Sequence, residues 1–147
     1  MELSVGGVES PIELGIPHLN LGYINSEQQM SSVYSAADIY ATSAIHDNQP
    51  NTVVEAMACG VPVIAFSVGG IPELVKPGVT GLLAQGGDVT GFREAIAELL
   101  QHDSKREPMK LECRRTVLRE FSLELQCKRY TELYDAALKA RLAIHPN

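Results

Sequence analysis

The sequence lacks the features that identify several functional classes. Its three cysteines are odd in number, and their spacing matches no zinc or disulfide framework. The net charge is −6 and lysine and arginine form no block, so the electrostatic footprint of a nucleic-acid-binding protein is absent. No Gly-x-Gly-x-x-Gly turn follows the opening strand, which argues against a dinucleotide enzyme. Because no cluster has the spacing of metal ligands, neither a metal nor a cofactor is expected.

Export and membrane features are also missing. The N-terminus has neither the charged leading region nor the long apolar run of a signal peptide. No stretch approaches the roughly 20 apolar residues that a membrane-spanning helix requires. Together with the unpatterned cysteines, these absences predict a reducing, cytoplasmic location.

The hydrophobic pattern predicts an α/β fold of the Rossmann-like type. With 147 residues, 45% of them hydrophobic, the chain is long enough for one domain with a buried core. Apolar segments alternate with amphipathic ones, which favours a mainly parallel sheet of about five strands with helices on both faces. The predicted strands are 3–7, 19–24, 38–42, 62–66 and 81–84. The predicted helices are 26–37, 52–59, a short one ending at 75, 88–100, 104–120 and 122–142.

Ligands of such sheets bind beyond the carboxyl ends of the strands. Three loops rich in glycine or turn formers are expected at that edge, namely 6–7, 43–51 and 67–70. Their placement predicts a ligand site there without identifying the ligand.

The loop 43–51 carries the most informative pattern. Asp47 precedes Glu55 by eight residues, and the turn-rich loop between them runs directly into a helix that stops at Gly60. Free backbone N–H groups and the helix dipole at such a junction favour a phosphate, and carboxylates accept hydrogen bonds from sugar hydroxyls. The junction therefore predicts a site for a polyhydroxylated, phosphorylated ligand.

The same residues have simpler structural interpretations. Thr52 and Glu55 have the spacing of a capping box, in which the acid only satisfies N–H groups at the helix start. Asp47 suits an Asx turn, while Asn48 and Asn51 suit a turn and an N-cap. These interpretations do not exclude ligand binding, because a capping carboxylate still has an oxygen to offer.

Residues near the acidic loop also have structural interpretations. His46, beside the acidic loop, is expected to be a solvated surface residue. Gly69 and Gly70 permit positive φ angles and a tight strand-to-helix turn. Glu73 is expected to cap the short helix that follows.

Several motifs together resemble one known family. They are the runs Tyr-Ser-Ala-Ala-Asp at 34–38, Asp-Asn-Gln-Pro-Asn-Thr-Val-Val-Glu-Ala-Met-Ala-Cys-Gly-Val-Pro at 47–62, Gly-Gly-Ile-Pro-Glu at 69–73 and Gly-Leu-Leu-Ala at 81–84. Their order and spacing resemble the C-terminal, nucleotide-sugar-binding domain of retaining GT-B enzymes of the glycosyl transferases group 1 type. The resemblance covers about 19–100 and continues weakly to 134. It implies half of a GT-B fold, with 1–147 as a single donor domain that lacks the acceptor domain.

The resemblance also implies roles for individual residues. Asp47 corresponds to the first acid of the family's Glu-x7-Glu motif, which contacts the transferred sugar, and Glu55 corresponds to the second, which binds the ribose. Tyr23 and Ile24 match positions where the nucleobase packs. The remaining implied contacts with the nucleotide sugar are Asn48, Asn51, Thr52, Val53, Gly69 and Gly70.

The chain departs from the family pattern in two ways. Asp47 is one methylene shorter than the usual Glu, and Pro50 removes one N–H from the phosphate-facing loop. The glycine turn and the helix with Arg and Lys that neutralise the diphosphate in the family are missing, and Lys76, Arg93 and Lys105 lie in the wrong places to replace them. The chain is therefore expected to be truncated at its N-terminus.

The implied reaction is transfer of a hexosyl group from a nucleoside-diphosphate sugar with retention of configuration and without a metal. The acceptor, a sugar or a lipid-linked molecule of cell-envelope polysaccharide synthesis, would bind a domain that this chain lacks. The full-length enzyme would be cytoplasmic or peripheral at the inner face of the membrane. The isolated chain is expected to be inactive or weakly active.

Two alternatives remain open. The chain could be a catalytically silent binding module that forms a homo-oligomer through an exposed sheet edge or apolar face. It could also be another nucleotide-binding α/β protein, such as an epimerase acting on sugar nucleotides, which the missing glycine turn disfavours.

Overall fold

The computed structural model describes residues 2–4 and 18–144. Within them, five strands alternate with six helices, in the order predicted. Their bounds are β1 Glu2–Ser4, β2 His18–Asn20, α1 Glu27–Ser35, β3 Tyr40–Thr42, α2 Asn51–Ala58, β4 Val63–Ser67, α3 Ile71–Leu74, β5 Gly81–Gln85, α4 Val89–Gln101, α5 Asp103–Glu120 and α6 Leu123–Ile144. The predicted strand positions 5–7, and with them the loop at 6–7, lie outside the described residues.

Every pair of neighbouring strands is parallel. β1 pairs with β2, and β4 lies between β3 and β5 in a second ladder. The predicted Rossmann-like α/β class is confirmed, with the five strands divided between two ladders of two and three. β2 is shorter than predicted because the Asn20 Oδ1 accepts the N–H of Gly22, whose φ of +61° turns the chain away.

β4 is buried over its first four residues and packs against helices on both faces. Val63 and Ala65 belong to a buried cluster that includes residues of α2, α3 and α5. Ile64 points the other way, into a cluster with Ala95 and Leu99 of α4. Successive residues of a strand face opposite sides, so the helices cover both faces of the sheet, as predicted.

The two C-terminal helices differ in how they are packed. α5 is held to the body by Met109, Cys113 and Val117, which are all buried. Every residue of α6 from 126 to 141 is exposed. The large apolar side chains exposed on α6, which we call the α6 apolar stripe, are Leu123, Tyr130, Leu133, Tyr134 and Leu138. None of the helices in the described residues combines the length and the apolar character needed to cross a membrane.

Candidate functional site

Helix α2 begins at Asn51, and its N-cap position is occupied by Pro50 with φ −66° and ψ 120°. Proline suits a helix start because its φ is fixed and it has no N–H to leave unpaired. No side chain caps the helix, so the capping box predicted for Thr52 and Glu55 is wrong, and so is the N-cap role predicted for Asn51. The first turn therefore presents backbone N–H groups and the positive end of the dipole without a side-chain cap.

The first turn of α2 contains three of the predicted contact residues. Asn51 and Thr52 are exposed at the start of the helix, where a phosphate could approach their N–H groups. Val53 is fully buried, and its N–H donates to the Pro50 carbonyl oxygen at 3.1 Å. The side chain of Val53 is thus out of reach of a ligand, and its predicted contact with the nucleotide sugar stays a prediction.

Glu55 lies one turn into α2, on an exposed part of the helix. Its Oε2 accepts a hydrogen bond from the hydroxyl of Tyr34 in α1, with 3.2 Å between the oxygens. Tyr34 is 7% exposed, and its ring meets that of Tyr40 edge-on with centroids 5.9 Å apart. Burial, together with the negative charge of Glu55, raises the pKa of Tyr34 far above its ordinary value. The phenol therefore stays protonated and acts as the donor in this pair.

Asp47 lies on a loop that packs against the β4–α3 turn. Gly69 in that turn has φ +53°, and a Cβ at this position would overlap the main-chain carbonyl oxygen of Asp47. A Cβ at Gly70 would overlap the carbonyl oxygen of Asn48 in the same way. The two glycines allow the close backbone approach that joins the loops at the carboxyl ends of β3 and β4.

A side-chain hydrogen bond connects the same two segments. Gln49 Nε2 donates to Oε2 of Glu73 at 3.1 Å. Glu73 lies in the first turn of α3, where its charge favours the helix dipole as predicted, but its side chain makes no capping hydrogen bond. Glu73 instead anchors the acidic loop to α3.

Tyr23 and Ile24, the predicted nucleobase contacts, follow β2 at a distance. Both lie in the non-regular segment 21–26 that leads to α1, rather than at the end of a strand as predicted. Tyr23 is 79% exposed, which leaves its ring free to stack on a planar ligand. His46 is exposed, in agreement with its prediction as a surface residue.

An open cavity of about 760 Å³ adjoins the start of α2, between α3 and the first turns of α6. Its walls include Asn51, Glu73 and Arg129, whereas neither Asp47 nor Glu55 lines it. The two predicted acids therefore lie outside this cavity. Across residues 2–4 and 18–144, no three His, Cys, Asp or Glu side chains are grouped to hold a metal ion.

The lysines considered for the diphosphate are engaged elsewhere. Lys76 pairs with Glu120 at 2.5 Å, and Lys105 pairs with Glu98 at 2.6 Å. Both amino groups therefore face carboxylates of this chain, and their predicted absence from the diphosphate site stays a prediction.

Two supports of the acidic residues, Tyr34 and Gln49, were not predicted from the sequence. A buried tyrosine hydroxyl usually requires a hydrogen-bond partner, and Tyr34 lies on the apolar face of the predicted helix. That requirement pointed to some acceptor, but 21 residues separate Tyr34 from Glu55. Only the packing of α1 against α2 identifies the partner.

The sequence of this chain matches a known protein family. Residues 10–102 match the family described as Glycosyl transferases group 1. The D-inositol 3-phosphate glycosyltransferase of Mycolicibacterium smegmatis is 41% identical over 86 residues, which are 58% of this chain and 19% of that protein.

Solved structures share the fold. Sucrose-phosphate synthase from Thermosynechococcus elongatus superimposes with a TM-score of 0.77 at 29% identity, covering 84% of this chain and 31% of that one. HepE of Anabaena in complex with UDP gives a TM-score of 0.74 at 24% identity, covering 81% and 32%. The chain thus spans 19% to 32% of the length of these three proteins. Since the family match covers more than half of its residues, the chain belongs to the glycosyl transferases group 1 family, whose GT-B fold its parallel α/β architecture shares.

Proposed function

We propose that this chain is the nucleotide-sugar-binding part of a retaining hexosyltransferase. One observation carries the proposal, namely the arrangement around the uncapped start of α2. Asp47 precedes the helix on a loop fixed by Gly69, and Glu55 lies one turn into the helix, where Tyr34 holds it. A site for an anionic, polyhydroxylated ligand needs backbone donors and carboxylate acceptors near each other, and this junction provides both.

In the proposed complex, the diphosphate lies over the first turn of α2, near the N–H groups of Asn51 and Thr52. Asp47 accepts hydrogen bonds from the transferred sugar, and Glu55 accepts them from the ribose. The chain has a net charge of −6, so its overall field does not attract the ligand. The local helix dipole and N–H groups must therefore supply the attraction.

Cleavage of the bond between the sugar and the phosphate leaves an oxocarbenium-like sugar and adds negative charge to the departing diphosphate. The α2 N-terminus stabilises that charge as it develops. Asp47 and Glu55 hold the sugar and the ribose in the reactive orientation. The acceptor hydroxyl then forms the new glycosidic bond, and its proton passes to the departing diphosphate. The proposal includes neither a metal nor a cofactor.

The acceptor site belongs, in this proposal, to a part of the protein beyond the present chain. The reason is that the chain spans less than a third of each relative and solved structure named above. We propose a sugar or a lipid-linked molecule as the acceptor. We also propose a cytoplasmic enzyme, or one attached to the inner face of the membrane. All three cysteines are unpaired, which suits a reducing compartment.

Calorimetric titration tests the proposed site. UDP is the first probe because the fold neighbour HepE was solved with it, and ADP and GDP cover other bases. Glu55→Ala should weaken the binding of UDP at least about 10-fold, since hydrogen bonds to a charged group contribute about 1.5–3 kcal/mol. Asp47→Ala should weaken the binding of UDP-glucose while leaving that of UDP unchanged.

Glu94→Ala provides the matched control, because Glu94 is an exposed glutamate on α4, a helix that contributes no residue to the proposed site. This variant should bind like the wild type. Failure of the wild-type chain to bind any of the three diphosphates would refute the proposal. Unchanged UDP affinity in Glu55→Ala would refute the ribose role.

A second candidate function is a self-associating module. The α6 apolar stripe favours it, because these large apolar side chains are exposed along one helix and such surfaces commonly mark interaction sites. In this candidate, α6 of one copy packs against α6 of another, and the α2 site has no catalytic use.

A further inference from the structure

We propose that Tyr34 is a positioning residue of the ribose site, whose hydroxyl holds the Glu55 carboxylate in the orientation that accepts ribose hydroxyls. This inference rests on the proposed function of Glu55. Tyr34 itself does not touch the ligand and acts only through the glutamate.

The ring of Tyr34 is a rigid base for this hydrogen bond. It lies in a buried cluster with Ala56 of α2 and Val61, and Met30 and Tyr40 pack against the same cluster. A ring enclosed in this way has little freedom to move its hydroxyl. The oxygen that donates to Glu55 is therefore fixed relative to helix α2.

Glu55, by contrast, is exposed and would be mobile without this partner. A glutamate side chain has several rotamers, and binding must restrict them at an entropic cost. The hydrogen bond from Tyr34 to Oε2, at 3.2 Å, restricts them before the ligand arrives. The other carboxylate oxygen, Oε1, stays available to accept a ligand hydroxyl, because a carboxylate has about four acceptor positions.

The direction of the hydrogen bond is also fixed. The buried phenol retains its proton because burial and the Glu55 charge both oppose ionisation. A permanent donor keeps the carboxylate as an acceptor only, which is the state that ribose hydroxyls require.

If Tyr34 only stabilised the fold, its loss would affect ligands with and without ribose hydroxyls equally. A comparison of two such ligands therefore tests the positioning role. Tyr34→Phe removes the hydroxyl and keeps the ring, so the buried cluster should remain packed. UDP and 2′,3′-dideoxyuridine diphosphate are titrated into the wild type, Tyr34→Phe, Glu55→Gln and the double variant. Tyr40→Phe is the control, because it removes a phenol hydroxyl from the aromatic partner of Tyr34.

We expect Tyr34→Phe to weaken the binding of UDP about 3-fold to 10-fold, which is less than the loss of a direct hydrogen bond between the ligand and a charged group, because Tyr34 acts only through Glu55. The affinity for the dideoxy compound should not change. The double variant should bind UDP like Glu55→Gln, because both changes remove one coupled unit. Tyr40→Phe should bind like the wild type.

The outcomes separate this inference from the function on which it rests. If Glu55→Gln binds UDP like the wild type, the proposed ribose role of Glu55 is refuted, and the inference with it. If Glu55→Gln lowers the affinity for UDP but Tyr34→Phe does not, only the positioning role of Tyr34 is refuted. Equal losses for UDP and the dideoxy compound in Tyr34→Phe, or additive losses in the double variant, would also refute it.

Discussion

Gly69 lies directly against the main-chain carbonyl of Asp47, so the β4–α3 turn and the acidic loop pack as one unit. The contact is between backbones and therefore places Asp47 without help from its own side chain. The hydrogen bond from Gln49 to Glu73 strengthens the same junction. The position of the first acid thus depends on a glycine 22 positions further along the chain.

We predict that Gly69→Ala destabilises the fold and displaces the acidic loop. The new methyl group would overlap the Asp47 carbonyl, and an L-residue at φ +53° adds strain of about 1–2 kcal/mol. Urea denaturation should show a loss of more than about 2 kcal/mol. The variant should also lose affinity for UDP-glucose.

Gly78→Ala separates the two causes. Gly78 has φ +77°, but no atom lies within 4 Å of a Cβ built there. Only the backbone strain should therefore destabilise this variant, by about 1–2 kcal/mol, and its ligand affinity should not change. Equal destabilisation in both variants would show that the contact with Asp47 adds nothing.

Arg106 provides a second prediction, about the end of helix α4. This side chain is 8% exposed, and its Nη1 donates to the Leu99 carbonyl oxygen at 2.8 Å. Carbonyl groups in the last turn of a helix have no partner within the helix. Nη2 lies 2.7 Å from Asp103 and 3.4 Å from Asp38, whose carboxylates are largely exposed.

Arg106→Met should destabilise the protein by about 2 kcal/mol, since the buried Leu99 carbonyl would lose its donor. Without Arg106, the two exposed aspartates stay hydrated, so the loss of their ion pairs adds little to the destabilisation. Arg115→Met is the matched control, because Arg115 pairs with Glu112 at the surface, and its loss should cost less than about 1 kcal/mol. Similar denaturation midpoints for the two variants would contradict the prediction.

The Cys113 thiol predicts a dependence of stability on pH. It is fully buried and its Sγ donates to the Thr80 carbonyl oxygen at 3.2 Å. Burial raises the pKa of Cys113 from 9.0 to about 12. A group whose pKa is raised by folding contributes its stability below the unfolded pKa and loses it as pH rises toward the folded one.

The loss in the free energy of unfolding should begin near pH 9, the pKa of the thiol in the unfolded chain. It should reach about 1.4 kcal/mol at pH 10, one pH unit above that pKa. Urea denaturation at pH 8 and pH 10 measures it as the difference between the wild type and Cys113→Ala. In Cys127→Ala, which alters an exposed cysteine, the pH dependence should match the wild type. Identical slopes in all three proteins would show that Cys113 does not titrate in this way.

Much of the fold was predictable because local patterns agree with the packing. The apolar run that became β4 is buried on both faces, so its continuous hydrophobicity was informative. Gly60 follows α2 with φ +78°, as expected for a glycine that ends a helix. In both places, the residues alone determine the local structure.

The details of the site were less predictable because they depend on contacts between distant segments. Thr52 and Glu55 have the spacing of a capping box, but Pro50 starts the helix earlier, which places Thr52 inside the first turn. Glu55 is then free to accept the hydrogen bond from Tyr34. No spacing rule connects these two residues, since their contact arises only when α1 packs on α2.

The α6 apolar stripe provides the last prediction. If it binds a second copy of the chain, the molar mass in light scattering should rise from monomer to dimer with concentration. Leu133→Glu places a charge in the middle of the stripe and should weaken the dimer at least about 10-fold, as for a central interface residue. Leu118→Glu changes an exposed leucine of α5 and should leave the dimer intact. A wild-type chain that stays monomeric at every concentration would refute self-association and leave the α2 site as the functional surface.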